Sequence, residues 1–341
     1  MLIRSKAPLR LGLAGGGTDL PSYANIYGGM VLNATINMYA HTTLEPLDGD
    51  VIIFEALDLK VSLTHPLSAI VPTDNVLKLH SGVYNRIVKD FNQNMPLAVK
   101  VSTQADSPIG SGLGTSSAIV VSMIKAYVEY LKLPLGEYDV AKLAYDIERK
   151  DLNLAGGMQD QYAATFGGFN FIEFQSESHV IVNPLRIRQW LKDEFEASLV
   201  LFFTGKSRES AHIIDEQIKH TTDNKSDNLD GLHQLKSAAI KMKEAILKGD
   251  LNLVAEELRL GWIAKKKTSS AVSNAHIDQI YDAAIDAGAL AGKVSGAGGG
   301  GFMMFIVDPL KRLNVIEALK KFDGVVRDVE FVEKGTKGWY V

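Results

Sequence analysis

The chain has 341 residues, of which 46% are hydrophobic and 22% charged, and its formal net charge is −4. That balance is ordinary for a globular protein and gives no global attraction to nucleic acid or to an anionic membrane. Cysteine is absent, which excludes disulfides, thiolate nucleophiles and cysteine–zinc sites.

In chain order, the N-terminus (Met1-Leu2-Ile3-Arg4-Ser5-Lys6) lacks the apolar core of a signal peptide. Met30 to Leu44, Asp50 to Leu57 and Lys60 to His65 read as strands, with Asp48-Gly49-Asp50 as a turn. Apolar residues at Val76, Leu79, Val83, Ile87 and Phe91 have helical spacing. A strand carrying Leu97, Val99 and Val101 follows, then a glycine-rich loop, then a helix marked by Ile119, Met123, Ile124, Tyr127 and Leu131. Tyr138 to Lys150 reads as a helix with Val140, Leu143, Ala144 and Ile147 on one face and Glu148 and Arg149 toward its edge. A charged connector follows Phe174. Beyond it come a strand (Leu199 to Thr204), helices marked by Leu232–Ile246, Leu253–Trp262 and Ile277–Ile285, and strands at Phe302 to Val307 and Val325 to Val332.

Strands interleaved with helices without strict βα alternation point to an α+β fold. A chain of this length is expected to form two domains or one large one. The boundary is expected near residues 175–195, giving domains over 1–180 and 195–341. The longest apolar runs, Ala197 to Phe203 and Phe302 to Val307, are far too short to span a bilayer. A cytoplasmic protein with no membrane or nucleic-acid partner is therefore expected, as a monomer or homodimer.

The loop Ser107-Pro108-Ile109-Gly110-Ser111-Gly112-Leu113-Gly114-Thr115-Ser116-Ser117-Ala118 joins a strand to a helix N-terminus. Glycines let the backbone approach a ligand closely, and the first amides and dipole of the helix favour an anion. Pro108, Gly110, Ser111, Gly112, Leu113, Gly114, Thr115, Ser116 and Ser117 are thus candidates to hold nucleotide phosphates. A P-loop is excluded, because no lysine lies between Lys100 and Lys125. A Rossmann fingerprint and a dehydrogenase are disfavoured, because the pattern is GxGxG and no second strand ending in an acid follows. Read alone, the loop is equally a glycine-rich turn before a serine-capped helix.

Two further clusters change that balance: Ala7-Pro8-Leu9-Arg10-Leu11-Gly12-Leu13-Ala14-Gly15-Gly16-Gly17-Thr18-Asp19-Leu20, and Lys293-Val294-Ser295-Gly296-Ala297-Gly298-Gly299-Gly300-Gly301-Phe302. Consecutive glycines before an apolar strand cost conformational entropy, which suggests packing against another backbone or a ligand. The ordered trio resembles the motifs of the GHMP kinases, the family of galactokinase, homoserine kinase, mevalonate kinase and phosphomevalonate kinase. The resemblance implies an N-terminal domain like domain 2 of ribosomal protein S5, a ferredoxin-like C-terminal domain, and an active site between them using ATP and Mg²⁺. Within the family, AGGGTDLPSY, Phe203–Arg208 and Lys265–Ser270 are most similar to the heptose 7-phosphate kinases, which implies a small sugar phosphate as substrate. Galactokinases carry Gly-Glu-His-Thr-Asp where this chain has Gly15-Gly16-Gly17-Thr18-Asp19, leaving room for a different sugar. A kinase for fucose or galactose and a catalytically silent sugar sensor are the alternatives.

The same resemblance implies the residue roles. Asp160, in Gly156-Gly157-Met158-Gln159-Asp160-Gln161-Tyr162, matches the segment carrying the catalytic aspartate, and Arg10 falls where an arginine stands beside it. Gly17, Thr18 and Asp19 match the sugar-binding motif, although Asp19 is also placed to cap the helix beginning at Leu20-Pro21. Gly298, in the C-terminal glycine motif, is expected at the substrate. Ser117 and Glu148 match the magnesium ligands. The loop is one residue longer than in mevalonate kinase (GLGTSSA against GLGSSA), so Ser116 is an alternative to Ser117. Among Lys265, Lys266 and Lys267, the resemblance favours Lys266 and Lys267, with Arg208, as holders of a distal phosphate. The bland reading of that lysine run is a solvated helix end.

Overall fold

The computed structural model describes residues 2–175, 179–205, 210–223 and 226–341. The first half runs β1 (Ile3–Ala14), α1 (Pro21–Tyr27), β2 (Gly29–Pro46), β3 (Val51–Ala56), β4 (Val61–Pro66), α2 (Lys78–Phe91), β5 (Val99–Ala105), α3 (Thr115–Leu131), α4 (Glu137–Asp146), a π-helical turn (Ile147–Asp151), α5 (Gln159–Phe166), β6 (Phe169–Phe174), β7 (Val180–Pro184) and α6 (Gln189–Ala197). The second half runs β8 (Leu199–Phe203), α7 (Ser210–Thr222), α8 (Ser226–Lys248), α9 (Leu251–Thr268), α10 (Ala275–Asp286), β9 (Ala289–Val294), β10 (Phe302–Val307), α11 (Arg312–Leu319), β11 (Val325–Arg327) and β12 (Lys337–Tyr340).

The first sheet has eight strands along the path β12-β1-β2-β5-β3-β4, with β6 added to β2 and β7 to β6. Its organiser is β2. It pairs with β1 along most of its length, with β6 over residues 29–34 and with β5 over residues 40–46. Among the described residues only β3 and β5 run parallel. Helix α3 is apolar nearly all round, burying Ala118, Val120, Val121, Met123, Ile124 and Tyr127, as a helix packed between a sheet and other helices must.

The second sheet has the order β11-β8-β10-β9 and is antiparallel throughout. With helices between β8 and β9 and between β10 and β11, this is the βαββαβ arrangement of a ferredoxin-like sheet, as the motifs implied. The unbroken apolar runs of β8 and β10 follow from burial on both faces. Leu199, Leu201, Phe302, Met304 and Ile306 join the core that continues into the first half, whereas Val200, Phe202, Met303, Phe305 and Val307 face a second core with Trp262 and Ile280.

Two expected elements differ. The helix over Tyr138–Lys150 ends at Asp146 and continues as the π turn. The strand over Val325–Val332 is regular only to Arg327, after which Phe331 makes an isolated bridge to Ile36 and packs on Phe169 and Phe195. Among the described residues no helix is long and apolar enough to cross a membrane.

Candidate active site

The glycine loop before α3 is pinned by the elements around it. Leu113 is buried and its carbonyl accepts from the Arg10 amide at 3.0 Å. The Ser111 carbonyl accepts from the Phe302 amide at 2.9 Å, and Ser111 Oγ lies 3.3 Å from Thr115 Oγ1. At Gly112, with φ +85°, a Cβ would stand 2.3 Å from the Ser295 carbonyl oxygen, and a Cβ at Gly301 would stand 2.3 Å from that of Ser111. The two glycine clusters therefore touch backbone to backbone, which accounts for the run of glycines before β10. Gly298 packs instead on the Val272 backbone, while Gly296 and Ala297 reach the cleft. Of the loop itself, Ile109, Gly110, Gly112 and Gly114 line the cleft with Thr115, Ser116 and Ser117 of α3. Pro108, Ser111 and Leu113 lie outside that lining, and the last two anchor the loop from behind.

The cleft has a volume of about 640 Å³, within the size range of small-molecule sites. At its centre, Asp160 stands in the first turn of α5, beside Gly114, where a Cβ would be 3.2 Å from the Asp160 Cγ. Arg10, from β1, donates to the same Asp160 oxygen, Oδ1, through Nε at 2.7 Å and Nη2 at 2.6 Å. Its Nη1 donates to the Gly112 carbonyl at 2.6 Å. Arg10 is buried, and these contacts fix its plane. Among the described residues none hydrogen-bonds Asp160 Oδ2, so a carboxylate oxygen faces the cleft next to a helix N-terminus and a glycine loop. Such an oxygen can accept a hydroxyl proton while the loop holds an anion beside it.

Glu148 leaves α4 through the π turn and is 1% exposed. Gln161 Nε2 donates to its Oε2 at 2.5 Å and to Ser117 Oγ at 3.1 Å, and Ser116 Oγ donates to its Oε1 at 3.2 Å. Ser116 thus meets Glu148 directly and Ser117 meets it through Gln161. Among the described residues the buried Gln161 Oε1 has no partner. This all-oxygen set of one carboxylate and two hydroxyls suits Mg²⁺, which takes few protein ligands. No group of three or more His, Asp or Glu side chains among the described residues is arranged to hold a metal.

The other end of the cleft is built on the turn after β1. Gly15, at φ +80°, lets the backbone fold against Met30, and Thr18 Oγ1 lies 2.8 Å from the Gly15 carbonyl and 2.9 Å from that of Met30. Thr18 is fully buried and secures the turn, whereas Gly17 and Asp19 line the cleft. Asp19 accepts from Gly17 N at 3.0 Å and from Gln159 N and Nε2, each at 3.1 Å. It does not cap α1, whose N-cap is Leu20.

The lysine run is placed differently from the expectation. Lys266 is exposed, 4.0 Å from Asp278, and Lys267 is exposed and donates to Gln234 at 3.2 Å; neither lines the cleft. The spacing from Leu258 and Trp262 puts Lys265 on the buried face of α9, so it is the member that enters the cleft. Its Nζ donates to the Gly16 carbonyl at 3.0 Å, and burial lowers its pKa to about 8, against the raising effect of Asp19. Behind it, Lys293 donates to the Gly12 carbonyl at 2.8 Å, and burial, then Lys265 and Arg10, push its pKa down to about 7. Arg208 lies outside the described residues. Gln159 in the cleft, and Gln161 and Lys293 behind it, are therefore residues for which the motifs assigned no role, while Lys265 is the member of the lysine run that the resemblance did not favour.

The family model described as GHMP kinases N terminal domain matches residues 78–168, and that described as GHMP kinases C terminal matches residues 242–324. The chain is 50% identical, over 99% of both chains, to the D-glycero-alpha-D-manno-heptose 7-phosphate kinase of Campylobacter jejuni. A solved structure of a D-glycero-D-manno-heptose 1-phosphate kinase from Bacteroides thetaiotaomicron aligns over 99% of both chains at 44% identity and a TM-score of 0.85. A putative sugar kinase from C. jejuni aligns at 48% identity and a TM-score of 0.83, over 100% of this chain and 98% of that one. Matched in both halves and along its whole length, the chain belongs to the GHMP kinase family.

Proposed function

We propose that the protein transfers the γ-phosphoryl group of ATP to the anomeric hydroxyl of D-glycero-D-manno-heptose 7-phosphate, giving the 1,7-bisphosphate and ADP. The observation that carries this reading is the Asp160 carboxylate, gripped by Arg10 on one oxygen and open to the cleft on the other, beside the glycine loop. The sugar follows from the two heptose kinases, at 50% and 44% identity.

In this mechanism the loop amides and the α3 N-terminus bind the nucleotide phosphates. Asp160 Oδ2 takes the proton of the anomeric hydroxyl as that oxygen bonds to the γ-phosphorus, and the bond to the β–γ bridging oxygen breaks to release ADP. Arg10 orients Asp160 and places a fixed positive charge beside the transferred group. Asp19, fixed by Gln159 and Gly17, presents carboxylate oxygens to the sugar hydroxyls. Glu148 with Ser116 or Ser117 would hold Mg²⁺, which neutralises phosphate charge when bound. Such a reaction supplies an activated heptose for nucleotide-sugar and surface-glycan synthesis, in the cytoplasm where ATP is available.

The test is ADP release with ATP and Mg²⁺ across heptose 7-phosphate, mannose, galactose, fucose, mevalonate and homoserine. Heptose 7-phosphate is expected to give the highest kcat/KM. Activity on an unphosphorylated sugar with none on heptose 7-phosphate would overturn the substrate and leave the kinase. Asp160→Asn is expected to lower kcat by about 10²–10⁴-fold with ADP affinity retained, and near-normal turnover would remove Asp160 from the role of base.

A further inference from the structure

We infer that Lys265 receives the distal phosphate of the acceptor, with Lys293 as a second positive charge behind it. The inference rests on the proposed reaction and specifies how its substrate is held.

Two buried ammonium groups stand within one segment of backbone, at the carbonyls of Gly12 and Gly16. Among the described residues neither forms an ion pair. The neighbouring acid, Asp19, already accepts three N–H bonds, and the other central acid, Asp160, is taken by Arg10. A buried cation without a carboxylate partner is costly, and a sugar hydroxyl offsets little of that cost, whereas a phosphate dianion offsets much of it. Lys265 has three N–H donors and spends one on Gly16, so two remain for a ligand in the cleft it lines.

Its position selects the acceptor rather than ATP. A chain of contacts runs from the glycine loop at Gly114 to Asp160, from Asp160 to Arg10, and from Arg10 past Gly12 to Gln159. It continues from Gln159 to Gly16, whose carbonyl meets Lys265. The reacting carboxylate therefore lies between the nucleotide loop and Lys265. An acceptor whose hydroxyl is at Asp160 extends its other end toward Lys265, Gly17 and Gln217. Burial lowers the Lys265 pKa to about 8, so an arriving phosphate also favours its protonated form.

The experiment compares heptose 7-phosphate with the unphosphorylated heptose as acceptors for the unaltered protein and for Lys265→Met. The variant is expected to raise KM for heptose 7-phosphate by about 30-fold or more. KM for the unphosphorylated sugar stays within about twofold, and kcat changes little. ADP affinity shows that the variant is folded. Lys266→Ala and Lys267→Ala leave both KM values unchanged. Equal loss on both sugars, or an unchanged KM for heptose 7-phosphate, overturns the inference. If Lys265→Met does not fold, the unaltered protein carries the test. Lys265 is faced by Asp19 and Arg10 from the N-terminal segment and by Lys293 from β9, and as it deprotonates above about pH 8, KM rises for the phosphorylated sugar alone. A parallel pH profile for both sugars overturns the inference. Failure of the unaltered protein to phosphorylate heptose 7-phosphate at all is a different result, and refutes the proposed reaction instead.

Discussion

Lys293 offers a quantitative test of how the site is paid for in stability. Its ammonium is buried and donates to the Gly12 carbonyl at 2.8 Å, with its pKa pushed from 10.5 to about 7 by burial, then Lys265 and Arg10. Because the folded pKa lies below the unfolded one, the unfolded chain binds more protons between pH 7 and pH 10.5, and stability rises with pH across that window. At 1.36 kcal/mol per pKa unit, holding the lysine costs about 4 kcal/mol at pH 7 and under about 1 kcal/mol near pH 10. Methionine fills a similar volume without the charge and forfeits one hydrogen bond, about 1 kcal/mol. Lys293→Met is thus expected to stabilise the fold by about 3 kcal/mol at pH 7, with the gain gone near pH 10. Urea titration followed by circular dichroism at a series of pH values measures both proteins. A variant less stable than the parent at pH 7, or a difference that does not change with pH, refutes the reasoning.

Two further predictions concern the turn and the metal site. Gly15→Ala places a Cβ 2.0 Å from the Met30 carbonyl oxygen at φ +80°, and is expected to cost about 3 kcal/mol or more in urea denaturation. Gly261→Ala, with no atom within 4 Å in the middle of α9, gains about 1 kcal/mol, so equal effects of the two would contradict the geometry. Glu148→Gln is expected to raise the Mg²⁺ concentration for half-maximal ADP release by about tenfold or more, a change Asp160→Asn does not produce. An unaltered Mg²⁺ dependence would remove Glu148 from the metal site.

The α+β class and the three glycine motifs were legible because each carries a constraint that survives without knowledge of its neighbours. What the glycines pack against was not legible, since Gly112 meets Ser295 across the whole chain. The β10 strand was bounded correctly, because burial on both faces leaves a continuous apolar run. Short or exposed strands such as β7 and β12 carry too little apolar pattern to stand out. The buried position of Lys265 was legible from its spacing after Leu258 and Trp262, whereas the resemblance of the lysine run drew attention to Lys266 and Lys267, which lie outside the cleft lining. Gln159 and Gln161 flank Asp160 in the sequence, but that they reach Asp19 and Glu148 depends on how α5 docks.

The pairing of β12 with β1, from Ile3 opposite Tyr340 to Lys6 opposite Lys337, bears on the order in which the sheet can be completed during folding. The edge of the strand that carries Arg10 stays bare until Lys337–Tyr340 pairs with it. Until that pairing forms, β1 exposes unpaired backbone, a template for mispairing between copies. Closure of this edge depends on Lys337–Tyr340, so disrupting that strand should harm folding yield more than the few contacts it makes would suggest.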